Sequence, residues 1–182
     1  TGGELQSTSA SGMQIAGTTT LDGAANPGAI GLDGVLLVGI GDTLVVDGEI
    51  DAGLGNSATI EVNGGLLRVG RAGADSVLLA PGAHAPPAGQ PHGVVQLDGG
   101  ASILAGLDGS SALNNTWTIR GQGQLGNGGL HLTNEAAGTI DAEGGGTLEV
   151  NLGGAAALLN LGLLRASAGG TLQLDSNIQQ VG

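Results

Sequence analysis

The chain has 182 residues, 39 of them glycine, no cysteine, and a formal net charge of −12 with only four basic residues, all arginines. So acidic a surface repels phosphate backbones and anionic lipid headgroups, which argues against nucleic acids and membrane surfaces as partners. A hydrophobic fraction of 40% is enough to build a core. The apolar stretches fall short of the roughly 18 residues that span a membrane. We therefore expect a single domain over residues 1–182.

The composition also bears on the compartment. The absence of cysteine is typical of proteins exported to an oxidising environment. Residue 1 is Thr rather than Met, which indicates a processed chain or a part excised from a longer one. We therefore predict an extracellular location, either secreted or at a cell surface.

Residues 1–42 are the least regular stretch. They contain one period-2 segment, Thr18-Thr-Thr-Leu-Asp22, and a glycine-rich segment over residues 28–40. Aspartate favours turns and glycine accepts positive φ angles, so this composition fits short strands joined by tight corners. We expect the stretch to form either an N-terminal cap or the first turns of a repeat.

From residue 43 onward a short motif recurs: a β-branched or small residue, then apolar, variable and apolar residues, then Asp or Asn. Such alternation predicts a strand with two inward side chains and one outward side chain between them. A second apolar segment, which begins with glycine, follows several copies. The clearest copies of the motif are Thr43-Leu-Val-Val-Asp47, Thr59-Ile-Glu-Val-Asn63, Val94-Val-Gln-Leu-Asp98, Thr147-Leu-Glu-Val-Asn151 and Thr171-Leu-Gln-Leu-Asp175. The second segments are Gly48-Glu-Ile-Asp-Ala52, Gly65-Leu-Leu-Arg-Val69, Gly138-Thr-Ile-Asp-Ala142 and Gly162-Leu-Leu-Arg-Ala166.

Together these elements describe one rung of a coil. Successive copies start about 16 to 24 residues apart, within the range of solenoid repeats. A rung cannot bury its inner face alone, so stability requires stacked neighbours with parallel pairing. Helices are disfavoured because glycine interrupts every candidate window. The predicted fold is all-β, a parallel β-helix (β-solenoid) with rungs of roughly 16–24 residues and right-handed crossovers.

Two passages resemble the coils of bacterial β-helical surface adhesins, of the autotransporter passenger and filamentous-haemagglutinin type. They are Leu132-Thr-Asn-Glu-Ala-Ala-Gly-Thr-Ile-Asp-Ala-Glu-Gly-Gly-Gly-Thr-Leu-Glu-Val150 and Leu159-Asn-Leu-Gly-Leu-Leu-Arg-Ala-Ser-Ala-Gly-Gly-Thr-Leu-Gln-Leu174. The likeness extends over about residues 43–182. The resemblance implies a right-handed parallel β-helix exported to the cell surface, and it assigns no functional residue.

One segment approaches the calcium-binding repeat of secreted solenoids, Gly-Gly-x-Gly-x-Asp-x-apolar-x. Residues 28–36 match this pattern, except that Ala29 replaces the second glycine. A calcium site of this kind takes ligands from adjacent turns, and the motif occurs once. We therefore interpret Asp33 as a turn residue and expect no resident metal or cofactor. Weak calcium binding to the acidic surface is the only metal interaction predicted.

Residues 81–93 contain four of the five prolines and two of the three histidines. Proline lacks the amide proton that a strand ladder needs, so this segment is expected to leave the coil as a loop. No carboxylate or cysteine accompanies His84 and His92 in the segment, which argues against a metal site. The loop is the first candidate for contact with a partner.

Trp117 is the single tryptophan of the chain. Alternation places it on the same face as Ile119, which predicts that the ring lies in the core. The alternative interpretation is an outward ring that stacks on a sugar.

No catalytic site is predicted. Polysaccharide lyases and hydrolases need several charged groups that converge on one groove. Glu61 and Glu149 are several rungs apart, too far to act as an acid–base pair. The expected outward strand positions are Glu61, Gln96, Thr118, His131, Glu149 and Gln173. The sequence therefore predicts no enzyme and no catalytic, cofactor-binding or metal-binding residue.

The predicted function is a non-catalytic structural or adhesive module of a secreted bacterial surface protein or extracellular matrix fibre. Both ends of an isolated stack are open sheet edges. This favours end-to-end stacking into a homo-oligomer or filament, or flanking rungs of a longer chain. The alternative is a carbohydrate-binding or polysaccharide-degrading β-helix protein. A surface glycan or host ligand of unknown identity is compatible with either prediction.

Overall fold

The computed structural model describes residues 3–9, 11–23, 29–52, 58–70, 76–80, 92–99, 102–153 and 157–181. Within these ranges the chain consists of strands, turns and bends, with no helix. It follows that the described residues contain no helix that could cross a membrane. The strands form three parallel sheets that are stacked as a coil. The predicted all-β solenoid is therefore confirmed.

Each turn of the coil contributes one strand to each of the three sheets. Sheet 1 contains β1 (Glu4–Gln6), β4 (Ile30–Asp33), β7 (Glu49–Asp51), β10 (Ser76–Ala80), β13 (Ala112–Asn115), β16 (His131–Asn134), β19 (Ala157–Asn160) and β22 (Asn177–Gln180). Sheet 2 contains β2 (Met13–Gln14), β5 (Val35–Val38), β8 (Ala58–Asn63), β11 (Gly93–Asp98), β14 (Thr118–Gly121), β17 (Thr139–Ala142) and β20 (Leu163–Ala166). Sheet 3 contains β3 (Thr18–Asp22), β6 (Thr43–Asp47), β9 (Leu66–Val69), β12 (Ile103–Gly106), β15 (Gly123–Gly126), β18 (Thr147–Val150) and β21 (Thr171–Leu174).

The turns vary in length while the stacking stays in register. The turn that places Leu132 above Leu113 is short, whereas the turn that places Leu78 above Glu49 is distinctly longer. The turn that includes residues 81–91 is longer still, because it runs from Thr59 to Val94 before the two become partners. The sheets therefore fix the register, and the corners absorb the differences in length.

The predicted rung length covers only part of this range, for a topological reason. The motif that begins at Thr43 lies in sheet 3, whereas the motif that begins at Thr59 lies in sheet 2. Thr43 stacks beneath Leu66 instead, in the next strand of its own sheet. The distance along the sequence between two copies of the motif therefore does not always measure one turn of the coil. For some copies it measures the step to a strand of another sheet, and for others the step to the next strand of the same sheet.

The core is a stack of aliphatic side chains. In sheet 2 the inward position carries a leucine, isoleucine or valine in every turn from β5 to β17, each at most 2% exposed. Burial of such side chains is the main stabilising term, because each removes apolar surface from water. This column consists of Leu36, Ile60, Val95, Ile119 and Ile140.

The predicted Asx–Gly corners are confirmed by the backbone. Asp33, Asp47, Asn63 and Asp98 each end a strand. The glycine that follows each has a positive φ, a region that other residues adopt only with strain. These glycines are Gly34 (97°), Gly48 (88°), Gly64 (72°) and Gly99 (93°).

The first stretch of the chain follows the same plan. Strands β1 to β5 belong to the same three sheets as the later strands, and they pair in the same parallel manner. Between the two alternatives for residues 1–42, the described residues form the first rungs of the coil.

Candidate functional site

Trp117 lies inside the corner between β13 and β14 and is fully buried. Its indole Nε1 donates a 2.7 Å hydrogen bond to the backbone carbonyl of Ala80. A Cβ on Gly93 would come within 2.5 Å of the ring. The prediction that Trp117 is a core residue is confirmed. The sugar-stacking alternative is wrong, because the ring has no exposed face.

This contact also concerns the proline-rich segment. Ala80 is the last described residue before the segment, and Gly93 opens the next strand, β11. The Trp117 ring therefore packs against the described residues that precede and follow the proline-rich segment. Residues 81–91, including His84, lie outside the described residues, so the prediction of a loop there stays a prediction. The other histidine of the segment, His92, is half-buried.

Three buried asparagines form a ladder of side-chain amides in sheet 1. Asn115 Nδ2 donates a 2.9 Å hydrogen bond to Asn134 Oδ1, and Asn134 Nδ2 donates one of 2.8 Å to Asn160 Oδ1. Asn160 Nδ2 then donates a 2.7 Å bond to Gln180 Oε1. The ladder begins at Asn115, because the residue beneath it is Leu79. Every donor points toward the C-terminal end of the coil.

The same amides also hold the corners that follow their strands. Asn115 donates to the carbonyl of Trp117 at 2.9 Å and accepts from the Trp117 amide at 3.1 Å. Asn160 donates to the carbonyl of Gly162 at 3.2 Å. Sequence reasoning missed the ladder, although the pattern Leu-x-Asn that recurs from Leu113, Leu132 and Leu158 would have identified it. Considered alone, an asparagine after a strand indicates only a turn.

A pair of acidic residues, Glu49 and Asp51, occupies the outward face of β7. Burial raises the pKa of the Glu49 carboxyl, and the charge of Asp51 and a hydrogen bond between the two side chains raise it further. Burial also raises the pKa of Asp51, while the hydrogen bond with Glu49 lowers it. Both carboxyls therefore bind a proton more readily in the folded chain than their ordinary pKa values imply. The residues stacked on the pair are Leu78, Ala80 and Gly31, which bring no charged or aromatic group.

The expected outward positions do not converge. Glu61 lies on β8 of sheet 2 and Glu149 on β18 of sheet 3, so the two carboxylates face different sides of the coil. The remaining expected positions are divided among all three sheets: Gln96 and Thr118 in sheet 2, His131 in sheet 1 and Gln173 in sheet 3. The arrangement provides no acid–base pair at these positions.

Sheet 2 carries two ion pairs on its outward face. Arg165 contacts Asp141 at 2.7 Å, and the hydroxyl of Ser167 donates to the same carboxylate at 2.9 Å. Asp141 is only 1% exposed, so these partners replace the hydrogen bonds to water that burial removes. Arg120 meets Glu143 at 3.5 Å, and both side chains are partly exposed. In each pair the two charged groups come from neighbouring turns, so each pair links one turn to the next.

A shallow groove of about 340 Å³ lies at the corner between sheets 2 and 3. Leu37 and Ile40 form its apolar floor and rim, and Ile40 is 86% exposed. Gln14, Glu61 and Asn63 provide polar atoms around it. Among the described residues, no group of three or more acidic, histidine or cysteine side chains could hold a metal ion. In the calcium-like segment, Asp33 lies at the end of β4, before the Gly34 turn.

The C-terminal end of the coil exposes its core. Leu174, Ile178 and Val181 are 40%, 37% and 51% exposed. Of the six large apolar residues that are most exposed in the described chain, five lie in the final turn, and the sixth is Ile40. The ladder also ends there, at Gln180, in the last strand of sheet 1. This end therefore presents apolar surface, unpaired strand edges and the terminal amide of the ladder together.

No protein-family model matches the sequence, and neither a curated protein nor a solved structure matches the chain. The fold and its contacts define the class of protein. It is a three-sheet parallel β-solenoid with an internal ladder of side-chain amides.

Proposed function

We propose that the chain is a non-catalytic structural module of a secreted bacterial surface protein or extracellular matrix fibre. Stacked rungs form a stiff spacer, and the residues at its corners contact the adhesion target. The observation that carries the proposal is the continuous pairing of all three sheets, from β1, β2 and β3 to β20, β21 and β22. Each rung is supported by its neighbours, so the rod is held along its whole length.

The distribution of chemical groups supports a role without catalysis. The coupled acids Glu49 and Asp51 lie together on one strand, and the groove beside Leu37 brings a single carboxylate, Glu61. General acid–base chemistry on a sugar requires two carboxyl groups on opposite sides of one bond. The acidic, cysteine-free composition supports an extracellular setting.

The adhesive part of the proposal is tested by surface display. Bacteria that display the chain are expected to adhere to a coated matrix, and replacement of residues 81–91 by a short Gly–Ser linker is expected to abolish adhesion. A matched variant replaces the exposed corner at residues 127–128 with a linker of the same composition and is expected to adhere normally. Equal adhesion by both variants would place the contact elsewhere. Release of new reducing ends from a panel of polysaccharides would overturn the non-catalytic role.

The groove beside Leu37 favours a second candidate function, the binding of a short neutral glycan. Two amides and one carboxylate around an apolar floor match the alternating hydroxyl and C–H surfaces of a sugar ring. Calorimetric titration with neutral oligosaccharides tests this function. Saturable heat that is lost in Glu61→Gln and kept in Glu149→Gln would support it, and the absence of heat would exclude it.

A further inference from the structure

Three pairs of polar side chains in the described coil join an amide to a carboxylate two residues away. In each pair the amide donates a hydrogen bond, and the carboxylate is partly satisfied by the coil itself. The pairs are Gln96 Nε2 with Asp98 Oδ1 at 2.9 Å, Asn151 Nδ2 with Glu149 Oε1 at 3.3 Å, and Gln173 Nε2 with Asp175 Oδ2 at 2.8 Å.

Strand β8 carries the same two kinds of group but leaves them apart. Glu61 and Asn63 are the register partners of Gln96 and Asp98, so they occupy the same two columns of sheet 2. Within the described part of the chain, neither side chain has a hydrogen bond or an ion pair, and the same holds for Gln14. These three side chains are the polar lining of the groove described above. The groove therefore collects polar groups that the coil itself leaves unused.

The floor and the carboxylate of the groove come from interior strands. Leu37 lies on β5, which pairs with β2 on one side and with β8 on the other. Glu61 lies on β8, which pairs with β5 and with β11. Neither strand has an open edge, so the groove is a feature of the side of the coil.

A long corner raises the apolar rim of the groove. Four residues, 39–42, separate β5 from β6, whereas only two, 64–65, separate β8 from β9 in the next turn. Ile40 lies in the long corner and is 86% exposed. A Cβ on Gly64 would come within 2.8 Å of the Ile40 side chain, so glycine at this position lets Ile40 lie over the next turn. The apolar rim is therefore held beside the polar groups of β8.

The lining matches a ligand with an apolar stem and a cationic head. Leu37 and Ile40 offer apolar surface in a groove of about 340 Å³. Glu61 contributes a carboxylate, which only accepts hydrogen bonds, and the amides of Gln14 and Asn63 each contribute a carbonyl oxygen. A lysine ammonium only donates, and its aliphatic stem packs along apolar surface while the charged end reaches polar groups. A hydrogen bond between charged groups is about twice as strong as one between neutral groups, which favours an ammonium over a hydroxyl.

The surrounding charges also favour a cation. Asp42 lies in the long corner, and Asp98 lies in the next turn above β8. Among the described residues, no basic side chain lines the groove. Arg120 lies two turns above Glu61 in the same column and contacts Glu143 at 3.5 Å. The local charge is therefore negative, and the net charge of −12 attracts a basic partner from a distance.

We propose that the groove binds a lysine side chain of a partner protein, with the ammonium on Glu61 and the stem between Leu37 and Ile40. The 182 residues contain no lysine, so another copy of them cannot supply this side chain. The inference rests on the proposed adhesive function, because it assigns chemistry to one contact between a corner and the adhesion target. A neutral sugar, the second candidate above, competes for the same groove, and titration separates the two ligands.

The first test titrates the isotopically labelled chain with three probes in two-dimensional NMR. The probes are the capped peptide acetyl-Gly-Lys-Gly-amide, the same peptide with its lysine side chain acetylated, and maltotriose. We expect saturable shifts of the Ile40 and Glu61 amide signals with the lysine peptide, and an affinity at least about tenfold lower for the acetylated peptide. The proposal is overturned if the two peptides bind equally or if the lysine peptide gives no saturable shift. Shifts with maltotriose alone would assign the groove to the second candidate instead.

Matched variants separate the groove from the acidic surface as a whole. Glu61→Gln keeps the shape of the side chain and removes its charge, so we expect the affinity for the lysine peptide to fall at least about tenfold. Glu149→Gln removes one charge from sheet 3 and is expected to bind the peptide as the wild type does. Equal affinities of the Glu61→Gln and wild-type chains would show that overall charge holds the peptide, and would refute the site.

These titrations and the adhesion assay can fail separately. Loss of adhesion on replacement of residues 81–91, together with no lysine binding, would retain the adhesive function and remove the groove from it. Specific lysine binding by a chain that does not adhere would retain the groove as a binding site and reject the adhesive function.

Discussion

The side-chain amide of Asn115 donates a 2.9 Å hydrogen bond to the amide of Asn134, which lies directly above it in the next turn. Both residues are fully buried. A buried amide without partners destabilises a fold, whereas a satisfied network fixes one arrangement of the core. The ladder therefore restricts the register of sheet 1, in which apolar columns alone would tolerate sliding.

Removal of the central amide should be the most damaging change in the ladder. Asn134→Leu leaves Asn160 Oδ1 without its donor and Asn115 Nδ2 without one of its acceptors. We expect a loss of about 1–3 kcal/mol in the free energy of unfolding for each buried group left unsatisfied. Urea denaturation followed by circular dichroism measures it. The control is Thr133→Val on the outward face of the same strand, and equal midpoints for both variants would contradict the role of the ladder.

The corner around Trp117 gives a prediction based on close packing. Gly93→Ala would place a Cβ 2.5 Å from the indole ring, so the ring or the strand must move. We expect a destabilisation of roughly 1–3 kcal/mol, typical of an overpacked core. Because Trp117 is the single tryptophan, its emission spectrum should shift to longer wavelength as water reaches the ring.

Gly109→Ala is the matched change for that experiment. A Cβ at Gly109 would meet nothing within 4 Å, so the variant should unfold at the wild-type midpoint with an unchanged spectrum. If the two alanine variants behaved alike, the packing of Gly93 against Trp117 would not account for the effect.

The acid pair predicts a pH dependence of stability. Burial raises the pKa of Glu49 above its ordinary value of 4.5 and the pKa of Asp51 above 3.8. Protons are then bound more tightly in the folded chain than in the unfolded chain. The stabilisation from this pair is therefore fully present at pH values below the ordinary carboxyl range and is lost as the pH rises through the raised pKa values.

Thermal melts at several pH values, from mildly acidic to neutral, measure this dependence. Glu49→Gln removes the carboxyl whose pKa is raised by burial and by Asp51, so its melting temperature should fall less than that of the wild type as the pH rises. Glu61→Gln is the control, since its strand neighbours on the same face, Thr59 and Asn63, are not acidic. Parallel curves for Glu49→Gln and the wild type would count against a raised pKa of Glu49 in the folded chain.

The two ion pairs described in sheet 2 should differ in how much each contributes to the free energy of unfolding. Arg165→Gln leaves the buried Asp141 carboxylate with Ser167 as its hydrogen-bond donor, and we expect a loss of about 1–3 kcal/mol. Arg120→Gln breaks a 3.5 Å contact between partly exposed groups, and we expect less than about 1 kcal/mol. Chemical denaturation of both variants at low and high salt tests the difference. Equal losses would show that burial of Asp141 does not matter.

Much of the fold could be predicted from the sequence because the strands that carry it alternate clearly. Thr43–Asp47 and Thr147–Val150 are strands where the motif predicts them, and Trp117 is buried with Ile119. Strands that lack the motif were harder to predict. β15, Gly123–Gly126, is half glycine and shows no apolar alternation, so only its neighbours in sheet 3 define it.

The contacts between turns could not be predicted for a different reason. Asn134 and Asn160 are far apart along the chain and touch only because the intervening turn closes in register. The raised pKa values of Glu49 and Asp51 depend on how deeply β7 lies under its neighbours, which the local sequence does not specify. Local patterns predict strands and corners, whereas the partners of side chains follow from the stacking.

The unequal turns have a consequence for how such a chain can change. The turn that leads from Thr59 to Val94 includes residues 81–91 and is longer than the turn that leads from Val94 to Thr118, yet both pairs continue the same ladder of sheet 2. Residues inserted at a corner therefore change the exposed surface of the coil without disturbing the pairing of its strands. Residues 81–91 are a natural place to graft a foreign peptide, and the same freedom allows surface recognition to diversify under selection while the coil is conserved.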